Sequence, residues 1–357
     1  MIDFRYHLVS LISVFLALAV GIALGAGPLK ETIGDTLTGQ VEVLRTEKEQ
    51  LRAQLDETSG DLAAADAFVA ASADQLLAGV LTDRRVALVV LDEVTQDEVS
   101  AVSERIDQAG GSVSATVTVN DTWTDPGLAT YRRTLAGTLV SYLAVPPPAD
   151  AGTDVELAEA LVSGLVGADS AAPDVLSENA ASLLDVLAEG DRALVSFAGD
   201  VTRPADAIVV LAGTPAGTDG AEPTEGATPV TRTAQLALVS AAQRLSEGVV
   251  VAGSTPGDDS LVSEVRADDT LTGTVSTVTD ADRVTGQVAV PLALAAQIGD
   301  QPGHYGHGDG LEAMPPVVTL APVDRTPADA GTEADAAGAD GAGADAAGDT
   351  TGDGEAG

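Results

Sequence analysis

The stretch Leu8–Ala26, LVSLISVFLALAVGIALGA, carries no charge over nineteen residues, and no other feature limits so strongly what this chain can fold into. As a helix rising about 1.5 Å per residue it is about 28 Å long, close to the ~30 Å hydrocarbon thickness of a bilayer. It is long enough to cross. The blander reading is a core helix, but helices buried in soluble domains seldom sit at an extreme N-terminus with apolar residues all round. A cleaved leader is the stronger rival, because Ala23-Leu24-Gly25 offers small residues where a signal peptidase reads. Cleavage would leave a secreted or outer-membrane product. The apolar run exceeds an ordinary leader core and the preceding MIDFRYH is only weakly basic, so an uncleaved anchor over residues 1–28 is the expectation. Arg5 and the terminal amine precede the span and Lys30 follows it. The positive-inside balance is nearly neutral; the expected orientation is N-terminus inside, giving a single-pass envelope protein whose C-terminal domain lies outside the cytoplasm.

After Gly27-Pro28, residues 31–62 repeat in heptads, with Val41, Lys48, Leu55 and Leu62 at one seam position and Leu37, Leu44, Leu51 and Thr58 at the other. Six of these eight are apolar, and RTEKEQLRAQLDE supplies charged flanks. Residues 29–82 are therefore read as a coiled-coil stalk that makes a homo-oligomer, a parallel dimer in the simplest form. A lone Lys in a seam costs stability but helps fix register and strand number. The alternative is an amphipathic helix packed on its own globular domain.

From Arg85 the pattern changes. VALVVL (86–91) reads as a buried strand, QDEVSAVSERIDQAG (96–110) as a helix with Val99, Val102 and Ile106 on one face, and SVSATVTV (112–119) as the next strand. Further strands are predicted at 193–199, 206–213, 248–254 and 274–278, and helices around 153–166, 177–189, 232–246 and 284–298. Apolar strands alternating with helices make a βαβ series. The expected class is α/β: a transmembrane helix and a coiled-coil helix followed by a doubly wound, mostly parallel sheet over residues 83–322. The last segment, 323–357, holds nine acids, one Arg and no aromatic residue among Ala, Gly and Thr. It buries too little apolar area to offset its ordering entropy and reads as a disordered acidic tail.

Composition then excludes function classes. With 17 Lys+Arg against 55 Asp+Glu the net charge is −38, which argues against nucleic acid as a partner. No cysteine is present, so disulfides, thiol catalysis, zinc ribbons and iron–sulfur clusters are excluded. Neither Lys30 nor Lys48 follows a Gly-rich turn as a P-loop requires, and no strand leads into G-x-G-x-x-G. Ser196 lacks the glycine of a nucleophile elbow. The pairs Asp258-Asp259 and Asp268-Asp269 carry little information among so many acids. No catalytic residue is assigned, and an enzyme is not expected.

One constellation has ligand character: His304-Tyr305-Gly306-His307-Gly308-Asp309, two imidazoles three apart with a carboxylate two further on. His304, His307 and Asp309 form a candidate copper(II) or zinc site of low affinity. The bland reading is a surface turn whose Tyr305 packs on the domain. A copper(I) site of the usual kind needs thiolate or thioether, and only Met1 and Met314 are present. His7 reads as an interfacial residue beside the bilayer. The small residues expected at strand ends, Ala198-Gly199-Asp200, Gly213-Thr214 and Gly253-Ser254-Thr255, mark where doubly wound sheets bind ligands, and also what tight turns demand.

The opening MIDFRYHLVSLISVFLALAVGIALGAG, the segment RTEKEQLRAQLDE and the late VSTVTDADRVTGQVAVPLALAAQIGDQPGHYG together resemble the actinobacterial MctB family, named for mycobacterial copper transport protein B. The likeness covers about residues 1–309 and leaves out the tail. It implies a role in copper homeostasis, through envelope proteins that help keep intracellular copper low and are described as pore-forming outer-membrane proteins. The copper-transport role rests on this resemblance alone. A self-contained barrel is not expected, because nine scattered aromatic residues cannot form two girdles and the apolar runs alternate with helices. The alternative to a copper-transport role is a structural scaffold acting through the coiled coil and the α/β domain, with no direct metal handling.

Overall fold

The computed structural model describes residues 4–26, 28–91, 94–148, 150–213, 227–253 and 260–327, and divides the chain into two compact units, Met1–Ala65 and Asp66–Gly357. The first unit contains α1 (Phe4–Ala26) and most of α2 (Pro28–Leu77). From Phe4 to Gly25 the helix is long and apolar enough to cross a membrane. Its side chains are exposed all round, Phe15 at 63% and Leu16 at 65% among them, so no protein core supports it in water. Pro28 begins α2, where the missing N–H costs nothing. The helix then runs for 50 residues, longer than the predicted heptads, because the Ala-rich DLAAADAFVAASADQLL sustains it until Gly79 turns to a φ of 74°. Within the first unit the seam residues Val41, Leu44, Leu51, Leu55 and Leu62 are exposed.

In the second unit the end of α2 contributes Ala73 and Leu77 to a buried cluster, and the chain enters an α/β succession. Its elements are β1 (Arg85–Leu91), α3 (Gln96–Gln108), β2 (Ser112–Val119), α4 (Ala129–Leu139), α5 (Thr153–Val166), α6 (Glu178–Ala188), β3 (Val195–Phe197), β4 (Ala207–Ala212), α7 (Ala227–Leu245), β5 (Val249–Gly253), α8 (Leu261–Ala267), β6 (Ser276–Val278), α9 (Val284–Ile298) and β7 (His304–Tyr305). The seven strands lie in the order β3-β2-β1-β4-β5-β6-β7, all pairings parallel except β2–β3. The sheet is open, ending at β3 and β7.

Both faces of the central strands are buried. Along β1, Ala87, Val89 and Leu91 join a cluster with residues of α4 to α8, while Val86, Leu88 and Val90 join the end of α2, α3 and α9. This is why VALVVL reads as a continuous apolar run rather than an alternating one. Helix α3 starts at a capping box, with Thr95 accepting from Glu98 N–H and the Glu98 carboxylate accepting from Thr95 N–H.

Three features depart from the sequence reading. The strand expected at 193–199 shrinks to three residues and pairs antiparallel at the edge. Helices α4 and α8 and strand β7 were not anticipated. The chain also stays fixed past the predicted start of the tail: the Arg325 guanidinium donates to both carboxylate oxygens of Asp206, at 3.0 and 2.8 Å, and to the Asp83 carbonyl. Arg84 donates to the Ala321 carbonyl, and Leu320 packs on the second cluster. The rest of the predicted tail, from 328, lies outside the described residues.

Candidate functional site

The closing segment is built on the last edge of the sheet. β7 pairs with β6 through Thr277 opposite His304 and Val278 opposite Tyr305. Tyr305 is 2% exposed and belongs to the second core cluster. The flanking glycines follow from this placement. A side chain at Gly303 would overlap the Tyr305 ring, and Gly306, with φ of 128°, lies against the Thr279 hydroxyl. The loop returns so that Gly306 N–H donates to Glu312 C=O and Glu312 N–H to His304 C=O. Much of the PGHYG signature is therefore an edge clamp that closes the sheet.

His304 is held by both ring nitrogens. Nε2 lies 3.1 Å from the Thr272 carbonyl, an acceptor only, so Nε2 carries the proton and Nδ1 accepts from the Thr277 hydroxyl at 2.9 Å. Burial, joined by the nearby Arg266 cation, lowers its pKa below the usual histidine value and favours the neutral ring, although the Thr272 carbonyl acts the other way. To ligate a metal, this ring must release at least one threonine. His307 and Asp309 are exposed on the turn; the His307 backbone N–H donates to Thr279 Oγ1, and the Asp309 carbonyl accepts from Arg266. Among the described residues no group of three or more His, Cys, Asp or Glu is gathered tightly enough to hold a metal ion. Met314 is 47% exposed, and Met1 lies outside the described residues. His7 is exposed on α1.

Behind the loop lies a buried polar network. Ser276 Oγ donates to Gln297 Oε1 at 2.7 Å, and Gln297 Nε2 donates to the Thr274 carbonyl and to Gln243. Gly303 N–H donates to Ser276 Oγ, which joins this network to β7. Periodicity gives no sign of it, since Ser and Gln at those positions look like solvent-facing residues.

The other singled-out positions scatter. Ser196 Oγ donates to Asn120 Oδ1, with no histidine partner. Asp268 caps its own turn by accepting from Thr270 and Leu271, which lowers its pKa, and Asp269 is exposed. Asp258 and Asp259 lie outside the described residues, as do Thr214, Ser254 and Thr255. Ala198, Gly199 and Asp200 line an open cavity of about 490 Å³ beside α6. Gly253 is small because Val262 packs against it.

The comparisons with known proteins agree with one another. A family model described as "Copper transport outer membrane protein, MctB" matches residues 1–316. Proteins named "Copper transporter MctB" from Mycobacterium bovis and Mycobacterium tuberculosis are 32% identical over 325 residues, covering 88% of this chain and 99% of theirs. The Mycobacterium leprae protein of the same name is 28% identical over 328 residues, with the same coverage.

Proposed function

Because the chain belongs to the MctB family, we propose that it is a membrane-anchored, non-catalytic component of copper transport that helps keep cellular copper low. The observation that carries this reading is the family match, which runs from the apolar helix through the last strand. In this reading α1 stays attached as a single-pass anchor, the α/β domain stands outside the cytoplasm, and the sheet is doubly wound. The domain organisation follows as anchor 1–28, a stalk from 29 whose end, from about 66, packs into the domain, and an α/β domain that holds the chain through Arg325 before the acidic tail.

One span per chain cannot enclose a path for an ion, so transport on this reading needs several chains. The stalk supplies the means of assembly. With Val41, Lys48, Leu55 and Leu62 as a positions, the e positions hold Arg45 and Arg52 and the g positions Glu47 and Asp61. Two parallel, in-register helices then set Glu47 against Arg52 of the second copy, whereas antiparallel helices would oppose Arg to Arg and acid to acid. Direct contact with copper(II) falls to the exposed His307 and Asp309, with His304 joining once Thr277 lets go of its ring.

The test is cellular copper, measured by mass spectrometry after growth in added copper. Cells lacking the chain are expected to hold severalfold more than cells with it, and the full chain is expected to restore the lower level while a chain without residues 1–26 does not. Unchanged copper on deletion contradicts the transport reading. Substituting His304→Ala and His307→Ala in the restoring chain separates direct handling, which would be lost, from a scaffold role, which would survive.

A further inference from the structure

The loop that follows β2 is held more firmly than a connection needs. Asn120 Nδ2 and Thr122 Oγ1 both donate to the Ala193 carbonyl, at 3.0 and 2.6 Å, and Asn120 N–H donates to Leu194 C=O. From beneath, Arg132 on α4 is 5% exposed and spends Nη1 on the carbonyls of Thr122 and Asp125, at 3.1 and 2.6 Å. Arg132 also acts electrostatically on Asp154, but its hydrogen bonds go to the loop carbonyls and fix the backbone, as preorganised sites require. What the loop presents is Trp123, the single tryptophan of the chain, 1% exposed.

The Trp123 indole N–H has no acceptor among the described residues. Leaving such a buried donor unpaired is costly, and buried tryptophans ordinarily find a partner. Trp123 also forms part of the wall of a cavity of about 310 Å³. That cavity opens at the carboxyl ends of β1 and β2, where Leu91 and Val119 end their strands, and α7 closes it with Ala234 and Leu238. The chain's direction of travel across the sheet reverses at β1, which has β2 on one side and β4 on the other, and the described lining lies on its β2 side. Open α/β sheets take their ligands beyond the carboxyl ends of their strands. Among the described residues, none from the three strand ends marked in the sequence lines this wall.

We propose that this crevice binds a small uncharged organic molecule whose carbonyl or hydroxyl oxygen accepts a hydrogen bond from the Trp123 indole. Its volume is at the lower end of the range for small-molecule sites, about 300 Å³ and above. Leu91, Val119, Ala234 and Leu238 give it an apolar side for a flat body, and Asn120, Thr124, Thr231 and Gln235 line the rest with polar groups. Asp121 is the one ionisable side chain among its described lining, so the crevice repels an anion and offers an acceptor to a ligand N–H or O–H. The site is independent of the copper reading.

Benzamide has this chemistry in minimal form, and benzoate is its anionic counterpart of the same shape. With the full chain in detergent, the emission of its single tryptophan is expected to change saturably with benzamide, at about millimolar concentration, and not with benzoate. Ala234→Met fills the crevice while keeping the reporter tryptophan in the chain, and is expected to abolish the response while the melting curve stays cooperative. Trp123→Phe keeps an aromatic ring and removes the donor, and is expected to weaken benzamide binding at least fivefold by calorimetry. A linear, unsaturable response, an equal response to benzoate, unchanged binding in a folded Ala234→Met, or full affinity in Trp123→Phe overturns the proposal. If Ala234→Met does not fold, the benzoate and Trp123→Phe arms decide.

Discussion

Replacing Leu51 and Leu55 together by Glu is expected to turn the full chain, extracted in mild detergent, from a dimer into a monomer by light scattering. Both side chains are more than half exposed on α2, at 56% and 66%. They occupy adjacent d and a positions, the places that face a partner in a two-stranded coil. Burying a leucine contributes about 1.5–3 kcal/mol, and a carboxylate in its place carries a desolvation cost as well. Four such sites per dimer raise the dissociation constant by at least about a hundredfold, since each 1.4 kcal/mol is tenfold. Glu49→Ala, at a b position facing solvent, is expected to leave the dimer intact. A wild-type monomer, or a dimer indifferent to the double substitution, removes the stalk from the account. The charge pattern gives a finer arm: Glu47→Arg weakens the dimer and Arg52→Glu in the same chain restores it.

Gly286→Ala is expected to be the most damaging small substitution in the α/β domain, costing about 3 kcal/mol or more. Gly286 is buried in the first turn of α9. A Cβ there would overlap the carbonyls of Asp280 and Thr279, which are backbone and cannot swing aside. Asp280 is itself held at φ of 60°, in the left-handed region, so the turn has little freedom left. For a domain of this size the loss corresponds to a fall of about 6–12 °C in the unfolding temperature. Gly137→Ala in α4 is the matched control: nothing lies within 4 Å of the added methyl, and the helix gains about 0.5–1 kcal/mol. An unchanged melting curve for Gly286→Ala would show that the β6–α9 turn is not packed as described.

The elements that could be read from the sequence are those whose burial follows a single period. β1, α3, β2, α5 and α9 stand where apolar spacing places them: β1 is buried on both faces and reads as an unbroken apolar run, and α3 buries the single stripe of Val99, Val102 and Ile106. Helix α4 escaped notice because its inward stripe is Arg132, Ala136 and Leu139, and an arginine among core positions masks the apolar period. Strand β7 escaped for a different reason. Its two residues are ordered by partners about thirty positions earlier, Thr277 and Val278, and no local pattern encodes that pairing.

The same holds for the chemistry. His304-Tyr305-Gly306-His307 looks like a ligand cluster when spacing alone is considered, but the Tyr305 side chain enters the core and the His304 ring lies between two threonines. Trp123 carried no motif at all. Its interest comes from Arg132 and Ala193, which lie nine and seventy residues away along the chain and fix its loop. The apolar helix at the start remained the most legible feature, because nineteen uncharged residues admit few environments.

The apolar helix is expected to remain attached and to tether an open-sheet domain to a membrane. Intact mass of the native protein, measured on fractions separated into membrane and soluble material, decides this. A membrane-bound species of the full 35.6 kDa is expected, released by detergent and not by salt. A soluble species lighter by the first 25 or so residues would contradict it.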